Sequence, residues 1–311
     1  MKKANKPWTT GDNVILMPVC NGTIKNIIKD RATARFSDIY VLDIGPDFHN
    51  PKETYDIIDC VNRGNKKIIW FDHHFDSWDV LERNMYSKSK NLVLLRTTSC
   101  AEIMKGVEFE KLSRNLVCFG TDVDGIISAA ILCANKYLND SQIDKLISIA
   151  RKCDTASFYG DNIAKKVHQA VYIARLKGEC IQMVELLVNL AKNNFMGKYL
   201  KELTDLVKMY ELTVNMQNQL ILHTSKYTDN NIAIFNSDNI CNADLTMIFS
   251  RCYSLGYNIV IVENTKFIRV ASNKVNLKEI FKLDHGMPYK IQLDKHQWNI
   301  EDVVNKLKGA I

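Results

Sequence analysis

At 311 residues, with 46% hydrophobic and 24% charged residues, the chain can bury a large core; this excludes an intrinsically disordered protein and favours two domains over one. No apolar run approaches the roughly 20 residues that cross a bilayer, so neither a membrane span nor a membrane partner is expected. The net charge of +6 fits an anionic substrate and fits general solubility equally well. Residues 1–6 are basic, but the apolar stretch 14–19 is too short and too poorly flanked for a secretory signal, so a cytoplasmic location is expected. Nine cysteines without a Cys-x-x-Cys spacing fit buried reduced thiols better than a disulfide framework or a zinc ribbon.

From the amino terminus, short apolar runs alternate with helix-compatible stretches, the pattern of parallel strands joined by crossover helices. Strands are expected at residues 13–17, 38–42, 67–71, 91–95 and 115–119. Helices are expected at 23–34, 51–63, from 99, and at 126–137. From 162 to 222 the chain reads as three helices, 162–176, 180–193 and 199–222, with apolar residues at three- and four-residue spacing. A second alternating region follows, with strands at 231–235, 258–262 and 266–271 and helices at 243–255 and 277–281. The expected fold class is α/β: a doubly wound, mainly parallel sheet in residues 1–195, a helical connector at 196–225, and a smaller α/β domain at 226–311.

The chemistry gathers at strand ends. Asp72, His73 and His74 directly follow the apolar run 67–71, and open α/β sheets bind ligands at the carboxyl ends of their strands. Asp43 follows 39–42, Asp122 and Asp124 follow 116–119, and Asp154 follows a helix-like stretch. One such aspartate alone is ordinarily a turn or cap residue. All of them together read as a mixed oxygen and nitrogen ligand set suited to manganese, iron, zinc or magnesium. A pair of such cations clamps a phosphoryl centre and activates water, which is phosphoester hydrolysis without a covalent intermediate. If 122–124 is extended, alternate side chains point the same way and both carboxylates face one metal pair. Gly125 then allows a tight turn into the next helix, with backbone N–H groups open to a phosphate.

These motifs resemble those of the DHH phosphoesterases, a family of single-strand-specific exonucleases, nano-RNases, cyclic-dinucleotide phosphodiesterases and manganese-dependent pyrophosphatases. Phe71-Asp72-His73-His74 is similar to the name-giving motif, and residues 121–130 to the Asp-x-Asp-Gly motif. Val41-Leu42-Asp43 and Cys153-Asp154-Thr155 are similar to the other two metal-binding segments. The resemblance implies a two-metal site loaded with Mn2+, Mg2+ or another divalent cation. In it Asp43 bridges both ions, Asp122 holds the first, and Asp124, His73 and Asp154 hold the second. His74 then contacts the scissile phosphate and Asp72 orients a histidine. In the second domain, Arg269 resembles a phosphate-binding strand arginine, and His285 with Gly286 resembles part of a phosphate-binding loop.

The chain departs from this pattern twice. The Asp-x-Asp segment follows the Asp-His-His segment instead of preceding it, a permuted order that a sheet tolerates if the strand re-enters at the same place. The histidine expected two or four residues before Asp122 is replaced by Gly120 or Cys118. Either Cys118 ligates as a thiolate, or His49 swings in, or the first metal is weakened or missing; the weakened site is favoured. The expected activity is hydrolysis of short single-stranded oligonucleotides or related nucleotides, with Phe158, Tyr159, Tyr257 and Tyr289 as candidate stacking surfaces. A pyrophosphatase or polyphosphatase and a non-catalytic nucleotide-binding protein are the alternatives. A monomer and a homodimer both fit the composition.

Overall fold

The computed structural model describes residues 14–19, 24–29, 36–45, 67–73, 92–96, 99–107, 114–224, 226–228, 231–238, 243–283 and 289–309. The helix expected at 51–63, together with His49, His74, His285 and Gly286, lies outside these residues. The protein is α/β and divides into two compact units, Met1–Arg151 with Ala170–Thr204, and Lys152–Gln169 with Asp205–Ile311. No described helix is long and apolar enough to cross a membrane.

The first unit is built on five parallel strands, β1 (Val14–Pro18), β2 (Asp38–Leu42), β3 (Lys67–Asp72), β4 (Leu92–Arg96) and β5 (Asn115–Phe119). Their order across the sheet is β1-β5-β2-β3-β4, with every neighbouring pair parallel. Every residue of β2 and β5 is buried, as expected where both faces of a parallel sheet are covered. That explains why these strands are continuous apolar runs in the sequence. One face packs Val19, Ile39, Val41, Ile68, Trp70, Leu116 and Cys118 against Ile24 of helix α1 (Ile24–Lys29). Trp70 fixes this layer by donating its indole N–H to the Ile44 carbonyl at 2.8 Å.

Further helices that begin in the first unit are α2 (Cys100–Met104), α3 (Val123–Ala134), α4 (Asp140–Asp154), α6 (Cys180–Lys192) and the helix that starts at Lys198. Between α4 and α6 lies α5 (Asn162–Lys177), and α7 (Lys198–Thr213) follows α6. Unit boundaries fall inside α4, α5 and α7. Helix α3 is buried on nearly every side, with Ile126, Ile127, Ala129, Ala130 and Ile131 at 0% exposure. A helix apolar all round belongs in the middle of a structure, and α3 packs on β5, α2 and α6.

The second unit carries a separate mixed sheet of β6 (Lys226–Thr228), β7 (Ile232–Asn236), β8 (Ile259–Glu263), β9 (Phe267–Ser272) and β10 (Lys290–Asp294). Its order is β10-β9-β8-β7-β6, and only β7 and β8 run parallel. Alternation divides its strands between two cores. Ile232, Ile234, Ile259 and Ile261 face α10 (Leu277–Phe281) and α11 (Ile300–Lys308); Ala233, Phe235, Val260 and Val262 face α9 (Leu245–Ser254) and Ile221 of α8 (Asn215–His223). The helix expected at 199–222 is interrupted at Val214, which separates α7 from α8.

A buried polar network ties this second unit together. The Asp244 carboxylate caps α9 through Met247 N–H and also accepts from Tyr210 Oη at 2.9 Å, with His168 Nε2 at 2.7 Å. Asn218 closes the network, accepting from Asp244 N–H and donating to Tyr210 Oη. Burial alone raises a carboxyl pKa, but the His168 imidazole and these hydrogen bonds outweigh it and hold Asp244 below its ordinary value of 3.8.

Two outcomes follow from this packing. Trp70→Phe leaves the Ile44 carbonyl unpaired in the core and costs about 1–3 kcal/mol in urea unfolding; an unchanged midpoint contradicts the assigned role. Because the folded pKa of Asp244 is depressed, its contribution is complete above 3.8 and is lost as pH falls through the lower folded value. Between about pH 5 and pH 2, wild type therefore loses stability more steeply than Asp244→Asn, and equal slopes contradict the network.

Candidate metal centre

The register of the first sheet brings the candidate residues to one edge. Leu42 pairs with Phe71 on one side and with Phe119 on the other, so β2, β3 and β5 end level. Backbone bonds extend the ladder one step beyond the strands: Asp43 N–H donates to the Phe71 carbonyl and Gly120 N–H to the Leu42 carbonyl, each at 2.9 Å. Asp43, His73 and Gly120 therefore follow three adjacent, aligned strands. Between β2 and β5 the chain order across the sheet is broken, and ligand crevices form at such switch points.

Asp43 leaves its strand in the left-handed region, φ 54°. Aspartate tolerates that conformation better than most residues, which makes a strand-end carboxylate feasible here. Its Oδ1 lies 3.0 Å from His73 Nε2, and the same nitrogen lies 3.8 Å from Asp124 Oδ2. His73 thus turns Nε2 into the cluster. Asp72, the last residue of β3, is 0% exposed.

Asp122 and Asp124 come together differently from the expectation. The segment is not extended: Asp122 is the exposed N-cap of α3, and its Oδ1 accepts the Gly125 N–H at 3.0 Å. That N–H is consequently engaged and does not stand open to a phosphate. Asp124 sits in the first turn of α3, fully buried, and its carboxylate receives the amino end of α2. Ser99 Oγ and Ala101 N–H donate to Oδ1, at 2.9 and 3.0 Å, and Cys100 N–H donates to Oδ2 at 2.8 Å. Unmatched N–H groups at a helix start need such an acceptor, and α2 finds it on α3 and not in its own N-cap Ser99. Burial pushes Asp124 above 3.8; His73 and the two backbone bonds oppose this, while Asp122 adds to it.

Two glycines make the approach possible. A β-carbon on Gly120 would stand 2.5 Å from the Asp43 carbonyl oxygen, 3.4 Å from Asp43 Oδ2 and 3.5 Å from Asp122 Oδ1. A β-carbon on Gly125 would stand 2.5 Å from the Gly120 carbonyl oxygen. No side chain fits at 120, so a histidine ligand is sterically excluded there. Cys118 points elsewhere: it belongs to the apolar core against Ile39 and Leu116, and burial raises its thiol to about 12. The fold therefore does not bring Cys118 to this cluster.

Cys100, which sequence reasoning passed over, lies in the cluster instead. Asp43, Cys100 and Asp124 each bring a ligand atom within 4.8 Å of the others, and all three are buried. The Cys100 sulfur is 3.1 Å from the Phe71 carbonyl. Burial, then Asp43, Asp124 and Asp72, raise its pKa well above 9.0, so without a cation it is a thiol donating to that carbonyl. The donor set fits a divalent cation. Asp43 and Asp124 bring two buried carboxylates to one imidazole, and a divalent cation would offset the cost of holding them in a low-dielectric interior.

The remaining candidates lie in the second unit or outside the described residues. Asp154 ends α4, and its backbone carbonyl accepts Lys290 Nζ at 2.5 Å. Arg269 is half-buried on β9, donates Nε to Gln292 Oε1 at 3.0 Å and lies 4.6 Å from the Phe267 ring centre. Phe158 is fully buried and stacked on His168, which removes it as a stacking surface; Tyr289 is 52% exposed.

No protein-family model matches the chain, and no curated protein matches it in sequence. Solved structures do align with it. An uncharacterized protein from Helicobacter pylori G27 is 13% identical, covering 92% of this chain and 87% of that one, with a TM-score of 0.33. The exonuclease RecJ bound to manganese is 12% identical over 89% of this chain and 74% of that one, with a TM-score of 0.41. RecJ from Thermus thermophilus in complex with Mn2+ is 10% identical over 92% and 53%, with a TM-score of 0.42. Superpositions this loose carry no functional argument.

The glycine contacts predict a stability pattern. Gly120→Ala and Gly125→Ala force backbone apart and cost about 1–3 kcal/mol or more each, whereas Gly106→Ala, whose new carbon meets nothing closer than 3.9 Å, stays within about 0.5 kcal/mol. Equal denaturation midpoints for all three contradict the close approach.

Proposed function

We propose that the protein is a divalent-metal-dependent phosphodiesterase that hydrolyses short single-stranded oligonucleotides or related nucleotides. The observation that carries this reading is the meeting of His73 Nε2 with Asp43 Oδ1 at 3.0 Å and Asp124 Oδ2 at 3.8 Å, all buried at the carboxyl edge of a parallel sheet. Buried ionisable groups held against one another in a crevice at strand ends are candidates for a functional site. The motif resemblance to DHH phosphoesterases supports phosphoester bonds as the target.

Asp43, His73, Asp122 and Asp124 are the proposed metal ligands in the first unit. Asp43 suits a shared position, because His73 lies on one side of it and the Gly120 to Asp122 turn on the other. Asp124 Oδ1 already accepts two hydrogen bonds, which leaves Oδ2, the atom nearer His73, as its ligating oxygen. When bound, divalent cations supply polarisation of a phosphoryl oxygen and a lowered pKa for the attacking water. The protein's part is to fix these groups before substrate arrives: the level strand ends set Asp43 and His73, and the α2 backbone holds Asp124 in one rotamer. Asp72 is proposed to orient a histidine, and His74 to contact the scissile phosphate. Arg269, His285 and Gly286 are proposed to hold substrate phosphate in the second unit.

The test is release of mononucleotides from a dinucleotide and from short single-stranded oligonucleotides. Activity disappears with a chelator and returns with Mn2+. Asp43→Asn, which keeps a side chain tolerant of the left-handed backbone, lowers turnover by more than the roughly 10–100-fold that loss of an outer partner costs. Undiminished turnover in this variant, or phosphate release from pyrophosphate with none from oligonucleotides, contradicts the reading.

A further inference from the structure

We propose that Cys100 coordinates a divalent cation through its sulfur beside Asp43 and Asp124, giving the centre a mixed thiolate and carboxylate shell that prefers a thiophilic ion over Mg2+. The proposal rests on the metal-dependent reading above and adds to it the ligand type and the class of ion.

Four observations converge on it. The Cys100 sulfur and one carboxylate oxygen from each of Asp43 and Asp124 lie within 4.8 Å of one another, so a single ion can reach all three. Cys100 is 0% exposed and is the first residue of α2, whose N–H donates to Asp124 Oδ2 at 2.8 Å; backbone and side chain of one residue therefore bracket the same carboxylate. The neighbouring position that sequence order offers for a further ligand, Gly120, admits no side chain, because its β-carbon would lie 2.5 Å from the Asp43 carbonyl oxygen. The other nearby thiol, Cys118, is committed to the apolar core on β5.

The chemistry balances simply. The Cys100 S–H proton, now shared with the Phe71 carbonyl at 3.1 Å, leaves to solvent as the cation arrives, and a metal–thiolate bond replaces the S–H bond with no change of oxidation state. Thiolate ligands favour zinc and other softer first-row ions, whereas an all-oxygen shell suits Mg2+. A cation in this shell also offsets the charge of Asp43 and Asp124, which burial otherwise penalises.

Titration of the full-length protein with Co2+ tests the assignment. Bound Co2+ is measured by equilibrium dialysis, and near-ultraviolet thiolate-to-cobalt charge transfer is measured by absorption. Wild type gains the near-ultraviolet band in proportion to bound Co2+ and binds Co2+ more tightly than Mg2+. Cys100→Ser, which preserves a donor for the Phe71 carbonyl, binds Co2+ without the band, while Cys118→Ser keeps it. Bound Co2+ in wild type with no charge-transfer band, an outcome that needs no variant, overturns the cysteine ligand but leaves the metal centre standing. Persistence of the band in Cys100→Ser overturns it equally. Absence of Co2+ binding altogether overturns the metal centre, and the cysteine ligand falls with it.

Discussion

The constraint on which this structure turns is buried negative charge. Asp43 and Asp124 are each at most 3% exposed, and the imidazole of His73 stands between them. Desolvating one carboxylate is expensive, and desolvating several side by side adds repulsion to that cost. Hydrogen bonds from α2 account for Asp124 but not for Asp43 facing the same imidazole, and apolar groups of similar volume are often cheaper to bury than paired charges. A divalent cation would offset that cost, which is the electrostatic argument for the proposed metal centre.

Geometry follows from the sheet. Because β2, β3 and β5 end in register, one residue past each strand is enough to bring Asp43, His73 and Gly120 to a common edge. The rest is backbone economy: with glycine at 120 and 125, the turn into α3 closes against Asp43, and Asp124 is delivered to the amino end of α2. Helix α2 is only five residues long, so its own N–H groups would be poorly served without Asp124. The carboxylate therefore has two duties, holding α2 in place and facing His73. Pre-organisation of the site and stability of the first unit are coupled through that one side chain.

Much of this was legible in the sequence. Fully covered parallel strands must be apolar on both faces, so β2, β3 and β5 show as short continuous runs, and the acidic residues that end them stand out. What was misread has specific causes. The segment 122–124 was expected to be extended, yet an aspartate just before a long apolar stretch, with a backbone N–H three residues on to accept from, is a helix N-cap signal; Asp122 and Gly125 make that bond. Cys100 was overlooked because only the fold places its helix beside Asp43, 57 positions earlier in the chain. Strand β10 and helix α11 carry signals that the sequence reading did not use: β10 alternates Ile291 and Leu293 with polar residues, and α11 sets Val303, Val304 and Leu307 on one face behind the Asn299 N-cap. The break at Val214 leaves no Pro or Gly in the sequence to mark it.

The central claim, that one buried edge of the first sheet holds a divalent cation, is tested most directly by diffraction from crystals soaked in Mn2+, with data collected at the manganese absorption edge. The account predicts anomalous density enclosed by Asp43 Oδ1, Asp124 Oδ2 and His73 Nε2. Anomalous density confined to other residues, with His73 Nε2 still lying between the two carboxylates, would contradict it.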